Sequence, residues 1–392
     1  MLRTNKLVQF SLVGLFLSSP LLAQDSLANH EHSQEVHHVV HENSVKTSAD
    51  HHVDAHSEAK PEEFNPAEFI LHHIADAHDF HIWGEGENSL SLPLPVILWT
   101  NSGLVTFMSS AFHHDDAGHH LVEVGEQRFV KYHGKIYYAA DSMDEHGAFV
   151  VYNDEHTVVN QKPLDFSVTK NVFSMLLSVF ILMILFIPAA ASYNKNGGVP
   201  RGLAGFLEPL VVFVRDEIAK PNIGEHRYKK FMPYLLTVFF FIWVNNLIGL
   251  IPIFPFSANL TGNIAFTMTI SVFTLLATNV FSNKGYWKHI FLPHVPWWLY
   301  PIMIPVELIG VISKPFALMI RLFANISAGH IIIISLTSLI FIFKSLAIAP
   351  VSVGFVLFMN FIELLVAALQ AYIFTLLSSL FIGLSHVEEE HH

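Results

Sequence analysis

Arg321, His330, Glu363 and Gln370, with Asn325 and Glu307 nearby, interrupt two long apolar runs near the C-terminus. Arg321 lies inside a run that extends from about residue 303 to 343. A permanent cation at the centre of a membrane-length helix costs about 2.5–3.5 kcal/mol on insertion scales, and Arg does not escape by deprotonation. Such a residue needs a function. His and Glu titrate, and in a desolvated site they can pass protons. Arg cannot relay protons, but it repels them and pairs with carboxylates. The chemistry is therefore proton transfer inside a membrane. Between two dead-end aqueous paths, a fixed positive charge would block a direct leak. It would also keep a mobile carboxylate ionised as that group passed from one path to the other.

The spacings add depth to this set. Glu363 and Gln370 are seven residues apart, on one helical face and about 10 Å apart along the axis. Arg321 and His330 are nine apart, about 13 Å. A turn falls near residues 345–350, where Pro350 suits the start of a helix. In an antiparallel hairpin folded about residue 346, Arg321 and Gln370 share one level, and His330 and Glu363 share another nearer the exported side. Asn325, four residues after Arg321, lies on its face; His330 is turned about half a revolution away. Arg321 is thus expected to face a partner, while His330 and Glu363 line a polar path. Glu307 and Lys314, fourteen and seven residues before Arg321, lie near its face, and Glu307 suits a second path opening to the cytoplasm. Blander roles exist for each: a buried hydrogen-bonded pair for His330 and Glu363, snorkelling for Glu307 and Lys314, and a bond to a neighbouring helix for Asn325.

The elements that must hold these residues are apolar helices. The chain has 392 residues, 52% hydrophobic and only 14% charged, against about 25% charged in soluble domains. Spans are expected at about 171–192, 231–253, 263–281, 297–343 and 351–384, the last two long enough to tilt. The 193–230 connection carries seven Lys and Arg, whereas the 254–262 connection has none. That asymmetry places the first loop in the cytoplasm, and five spans then leave the C-terminus there too. Within this loop, 203–218 has helical apolar spacing beside Glu208, Arg215, Asp216 and Glu217, as in an interfacial amphipathic helix. The expected fold is an all-α polytopic membrane protein of about five helices. It has a long tilted C-terminal hairpin and is preceded by a small β-rich exported domain.

The N-terminal part is different. Arg3 and Lys6 precede an apolar core at 7–17 that is too short to span a bilayer, so 1–23 is expected to be a secretory signal. Residues 24–79 are polar and His-rich, with too little apolar surface to fold alone. Within 80–166, short β-type runs occur at 96–99, 105–107, 128–132, 136–138 and 149–152. Nineteen of the 26 His precede residue 160, and His113, His114, Asp115, His119 and His120 form the densest group. Metal capture by imidazole is one role for them; a solvated, pH-buffering segment is the other. The net charge of −12 is concentrated in this part, so nucleic-acid binding has no support, and no cysteine is present. A His-rich metal transporter is the competing function. It would need paired His and Asp within the spans, which hold His330 and no Asp.

The C-terminal residues resemble subunit a of the F-type ATP synthase membrane sector. The resemblance rests on 307–315 (ELIGVISKP), 321–330 (RLFANISAGH) and 363–377 (ELLVAALQAYIFTLL), supported by 241–252 (FIWVNNLIGLIP) and 257–263. It covers about residues 166–386. It implies that Arg321 corresponds to the arginine facing the rotating c-subunit ring. It ties Asn325, His330, Glu363 and Gln370 to an exported-side proton half-channel, and Glu307 to a cytoplasmic one. Many bacterial members carry Glu where His330 stands and His where Glu363 stands; here the pair is exchanged, as in mitochondrial-type members. The implied partners are the c-ring, peripheral-stalk b subunits, the remaining synthase subunits and the lipid bilayer, in a bacterial inner membrane. No cofactor is implied. The chain has no GxxxxGK[ST] loop, so nucleotide chemistry would lie in partner subunits. The signal peptide and His-rich extension are outside the common family pattern.

Overall fold

The computed structural model describes residues 76–83, 90–145, 147–153, 157–195, 197–251, 258–293, 295–343 and 348–386. The expected signal peptide, and the expected His-rich segment up to residue 75, lie outside them.

The described N-terminal part is built of β1 (Asp79–Trp83), β2 (Leu90–Pro93), β3 (Pro95–Thr100), β4 (Gly103–Met108), β5 (Ala117–Val124), β6 (Gln127–Tyr132), β7 (Lys135–Tyr138) and β8 (Leu164–Asp165). They form three antiparallel sheets with orders β1-β2, β4-β3-β8 and β5-β6-β7. Alternation sorts the side chains: Val96 and Leu98 of β3 are buried while Trp99 is exposed. Val96, Leu98, Phe112, Phe129 and Ile136 form a core shared by the second and third sheets. His133 and Gly134 make the two-residue turn between β6 and β7, both at positive φ, as a hairpin matched to strand twist requires.

One expectation is corrected. Residues 149–152 are not a strand but supply one isolated bridge, Tyr152 to Val158. Its backbone bonds scatter among several partners: Phe149 N–H donates to the Gly118 carbonyl, the Phe149 carbonyl accepts from Ala140 N–H and Asn160 Nδ2, Val151 N–H donates to Asn160 Oδ1, and the Val151 carbonyl accepts from Val159 N–H. The His119-His120 stretch lies in β5, at the irregularity between Ala117 and Leu121 where the register with β6 shifts.

The β-rich part is fixed to the first membrane helix. Helix α1 (Lys170–Lys195) has its first free N–H groups capped from a distance: Lys170 N–H donates to the Ala77 carbonyl and Asn171 N–H to Asp76 Oδ1. Burial pushes the Asp76 carboxyl above its ordinary value. Beside it, Asp165 Oδ2 lies 2.8 Å from buried His78 Nε2. Burial pushes Asp165 up, but the His78 hydrogen bond and charge outweigh it and hold the carboxyl below its usual value. Phe80 meets Phe173 edge to face at 6.0 Å.

The rest is helical: α2 (Leu203–Phe213), a π turn at Val214–Ala219, α3 (Lys220–Ile223), α4 (Tyr228–Leu250), α5 (Ile264–Val280), α6 (Lys284–Phe291), α7 (Tyr300–Phe343) and α8 (Ala349–Leu384). Among the described residues, four helices are long and apolar enough to cross a membrane, and α5 with α6 makes a fifth if counted together. The third span departs from a straight rod: α5 and α6 meet at a bend of 100°. At about 1.5 Å per residue, the 44 residues of α7 reach about 66 Å, twice the hydrocarbon thickness. Hydroxyls tie α4, α5 and α8 together. Tyr234 Oη is 2.8 Å from Thr274 Oγ1, which is 3.3 Å from Ser378 Oγ. Along α5, Thr269, Ser271, Thr274 and Thr278 each donate back to the carbonyl four residues earlier, so their polarity is satisfied locally.

The far end of α8 is clamped by residues 218–227. The Ile218 carbonyl in the π turn accepts from Asn222 Nδ2 and Ser379 Oγ, and Arg227 donates to the His386 carbonyl. Asn283 N–H donates to the Ser385 carbonyl, so α5, α8 and the start of α4 share this end. The clamp depends on Gly383, where an added Cβ would land on the Asn222 carbonyl oxygen. Overpacking of this kind costs about 1–3 kcal/mol. Gly383→Ala is therefore expected to lower the melting temperature of the detergent-solubilised protein, read by circular dichroism. Gly354→Ala, with open space around the new methyl group, should leave it unchanged.

Candidate functional site

Two polar contacts join α7 to α8. His330 Nδ1 and Glu363 Oε1 are 2.6 Å apart, within hydrogen-bond distance. Asn325 Nδ2 donates to Gln370 Oε1 at 2.9 Å. The hairpin arithmetic thus brings His330 to Glu363, while Gln370 bonds Asn325, one turn beyond Arg321. Counting residues sets depth, not rotation. Leu322 is fully buried against the bundle, and Arg321, about 100° away on the helix, is turned outward.

Glycine makes the closest of these approaches possible. A Cβ on Gly329 would sit 2.8 Å from Glu363 Oε1, so the carboxylate reaches His330 by passing over a residue without a side chain. Glu363 itself is only 4% exposed.

A third wall, not foreseen from residue spacing, is supplied by α4 and Thr261 after it. Asn246 Nδ2 donates to the Ala367 carbonyl of α8, and Asn246 Oδ1 accepts from Thr261 at 2.7 Å. Asn245 donates to its own helix at Phe241. A Cβ on Gly249 would be 3.8 Å from His330 Nε2, which places α4 against the far side of the imidazole. Two adjacent Asn in an apolar run were the available signal; what they touch depends on rotation about α4. Among the described residues, Asn245 Oδ1, Glu363 Oε2 and Gln370 Nε2 are buried with no hydrogen-bond partner in the chain. They are contributed by α4 and α8, in the region where the two polar contacts lie.

Arg321 is apart from this set. Its side chain is exposed on a face that also carries Ala317, Ala324 and Ala328, and no ion pair to it occurs among the described residues. Glu307 is half-buried, about 21 Å before Arg321 along α7, and near Tyr286 of α6. Lys314 Nζ lies 5.6 Å over the Phe381 ring, so it packs against α8 rather than pairing with an acid. The His group of the β-rich part is only partly assembled. The His113 and His120 rings are 4.4 Å apart, but both Asp115 oxygens accept backbone N–H groups, from Ala117 and His120. His119 is 3.8 Å from Asp115, and His114 is 3.5 Å from Asp79. Among the described residues, no group of three or more His, Asp or Glu could hold a metal ion.

The family model described as ATP synthase A chain matches residues 172–383, the part that contains both polar contacts between α7 and α8. The chain belongs to the ATP synthase A chain family. It is 50% identical over 233 residues to ATP synthase subunit a of Chloroherpeton thalassium, covering 58% of this chain and 69% of the relative. It is 44% identical over 260 residues to ATP synthase subunit a of Myxococcus xanthus, covering 64% and 82%. Membership makes the chain a multi-pass protein of the synthase membrane sector, where it works with other synthase subunits as the proton-channel component. Residues 69–166 match a second model, described as a domain of unknown function.

The close approach at Gly329 gives a test within this family. Gly329→Ala is expected to push Glu363 off His330 and to lower ATP-driven acidification of inverted membrane vesicles several-fold. Gly354→Ala should leave acidification unchanged.

Proposed function

We propose that the α7–α8 hairpin carries protons between two offset half-channels to a carboxylate on the c-subunit ring. Protons enter from the exported side past His330 and Glu363, with Asn325, Gln370, Asn245 and Asn246 supplying polar wall. They load the ring carboxylate opposite Arg321 and leave to the cytoplasm past Glu307. Arg321 blocks a direct shunt and holds the unloaded carboxylate ionised. The observation that carries this proposal is the contrast between a buried acid–imidazole pair inside the bundle and an arginine turned out of it with no ion pair among the described residues. Buried polar atoms normally find partners; the unpartnered atoms of Asn245, Glu363 and Gln370 suit a file of water along the path. Loop charges favour a bacterial inner-membrane orientation with the β-rich part periplasmic, after export directed by 1–23, and the C-terminus cytoplasmic. Peripheral-stalk b subunits would hold the chain against rotation, and nucleotide chemistry would belong to other subunits.

ATP-driven proton pumping in inverted vesicles tests each part. Arg321→Ala is expected to abolish it; normal pumping by that variant refutes the mechanism. His330→Glu and Glu363→His should each lose most activity. The double change should recover more than either alone, since it restores one acid and one imidazole at the same contact. Absence of recovery would count against direct pairing.

A further inference from the structure

We infer that the outer face of the β4-β3-β8 sheet is a membrane-binding surface that rests on the exported leaflet of the bilayer. The register places Leu104, Trp99 and Leu164 in one row across the three strands, and Thr106, Ile97 and Phe166 in the next. Trp99 is 56% exposed, Leu104 60% and Leu164 51%. A contiguous exposed apolar face of this kind marks an interaction site. The face is uncharged because the opposite one holds the domain core, and Asp165, the acid within these three strands, is turned to that side against His78.

Three observations favour lipid as the occupant. The face is continuous with a membrane element. Val168 N–H still bonds the Pro95 carbonyl in the sheet, and α1 begins two residues later at Lys170. That helix presents Phe180, Met183 and Ile187 outward as a lipid-facing surface. The connector is also held, by the Ala77 and Asp76 bonds to the first residues of α1, so the sheet cannot drift far from the bilayer. Finally, charge is segregated. Residues 76–166 contain fourteen Asp and Glu against four Lys and Arg, and none of the acids lies in β3 or β4. The sheet face is thus the side of an acidic domain that an anionic leaflet would not repel, and its Trp and Phe suit the headgroup level. This assigns a location to the domain of unknown function, independently of how the proton path works.

The chain contains no cysteine, so single labels can be placed cleanly. Leu104→Cys, Leu164→Cys and, on the other sheet, Glu123→Cys would each be spin-labelled in the assembled complex, reconstituted in vesicles of phosphatidylethanolamine and phosphatidylglycerol. Power saturation with oxygen and with a neutral nickel chelate reads the surroundings. Positions 104 and 164 are expected to show an oxygen-to-nickel accessibility ratio several-fold above that at position 123. High nickel accessibility at 104 and 164 would overturn the proposal in favour of a water-exposed face. Low accessibility to both reagents would overturn it in favour of cover by another subunit or a second copy. Should a label disturb assembly, quenching of Trp99 fluorescence by brominated lipids, taken as the difference between the unlabelled chain and Trp99→Phe, decides the same question.

Discussion

A buried carboxylate beside one imidazole is the constraint on which the rest of the membrane part depends. Glu363 is almost fully enclosed by apolar helices, and one of its oxygens is held by His330. An acid in such a place is costly unless its partner is accurately placed. Accuracy here comes from three helices. Gly329 lets the carboxylate through on α7, Gly249 brings α4 against the imidazole, and Asn246 fixes α4 to α8 one turn from Glu363. The clamp at Gly383, Asn222 and Ser379 then stops α8 from sliding and taking Glu363 with it.

Two kinds of polar residue share the same interior. The Thr and Ser of α5, and Thr375 and Ser378 of α8, donate to carbonyls four residues back. They are satisfied within their own helix, and as small residues they let helices approach. Asn245, Gln370 and Glu363 each keep a buried atom that no described residue satisfies. A bundle selected only for stability would not retain three such atoms in one region, since each costs about 1–3 kcal/mol when left unpaired. Their retention fits the proposed proton path, where such atoms would meet water rather than protein.

The depth of the site was legible because helices rise by a fixed amount per residue. Counting from the turn brought His330 to Glu363 without any knowledge of the fold. Rotation and crossing are not encoded so simply. Gln370 was placed level with Arg321 but is bonded to Asn325, because Arg321 follows its own face outward. The walls supplied by α4 escaped for the same reason: Asn245 and Asn246 were visible as residues, but not what they met. The bend between α5 and α6 hid in a short amphipathic stretch that reads as a loop. In the β-rich part, β5 was masked by adjacent His, and 149–152 had a strand's composition while its backbone groups went to Gly118, Ala140, Val159 and the Asn160 side chain instead of one neighbouring strand.

The separation of Arg321 from the pair has its own logic. Nine residues of helix put about 13 Å between their levels. With an effective dielectric constant of about 20, two unit charges at that distance interact by roughly 1.3 kcal/mol, against about 4 kcal/mol at 4 Å. Arg321 therefore acts weakly on His330 and Glu363 and strongly on whatever carboxylate approaches its outer face. The small Ala317, Ala324 and Ala328 beside it leave room for such an approach. Were Arg321 turned inward to pair with Glu363, it would neutralise the acid permanently, and the path would hold a salt bridge instead of a site that exchanges protons. In the proposed mechanism an outward Arg321 is compensated by a carboxylate that comes and goes, and the cost of placing it in the membrane is offset only while that carboxylate is ionised.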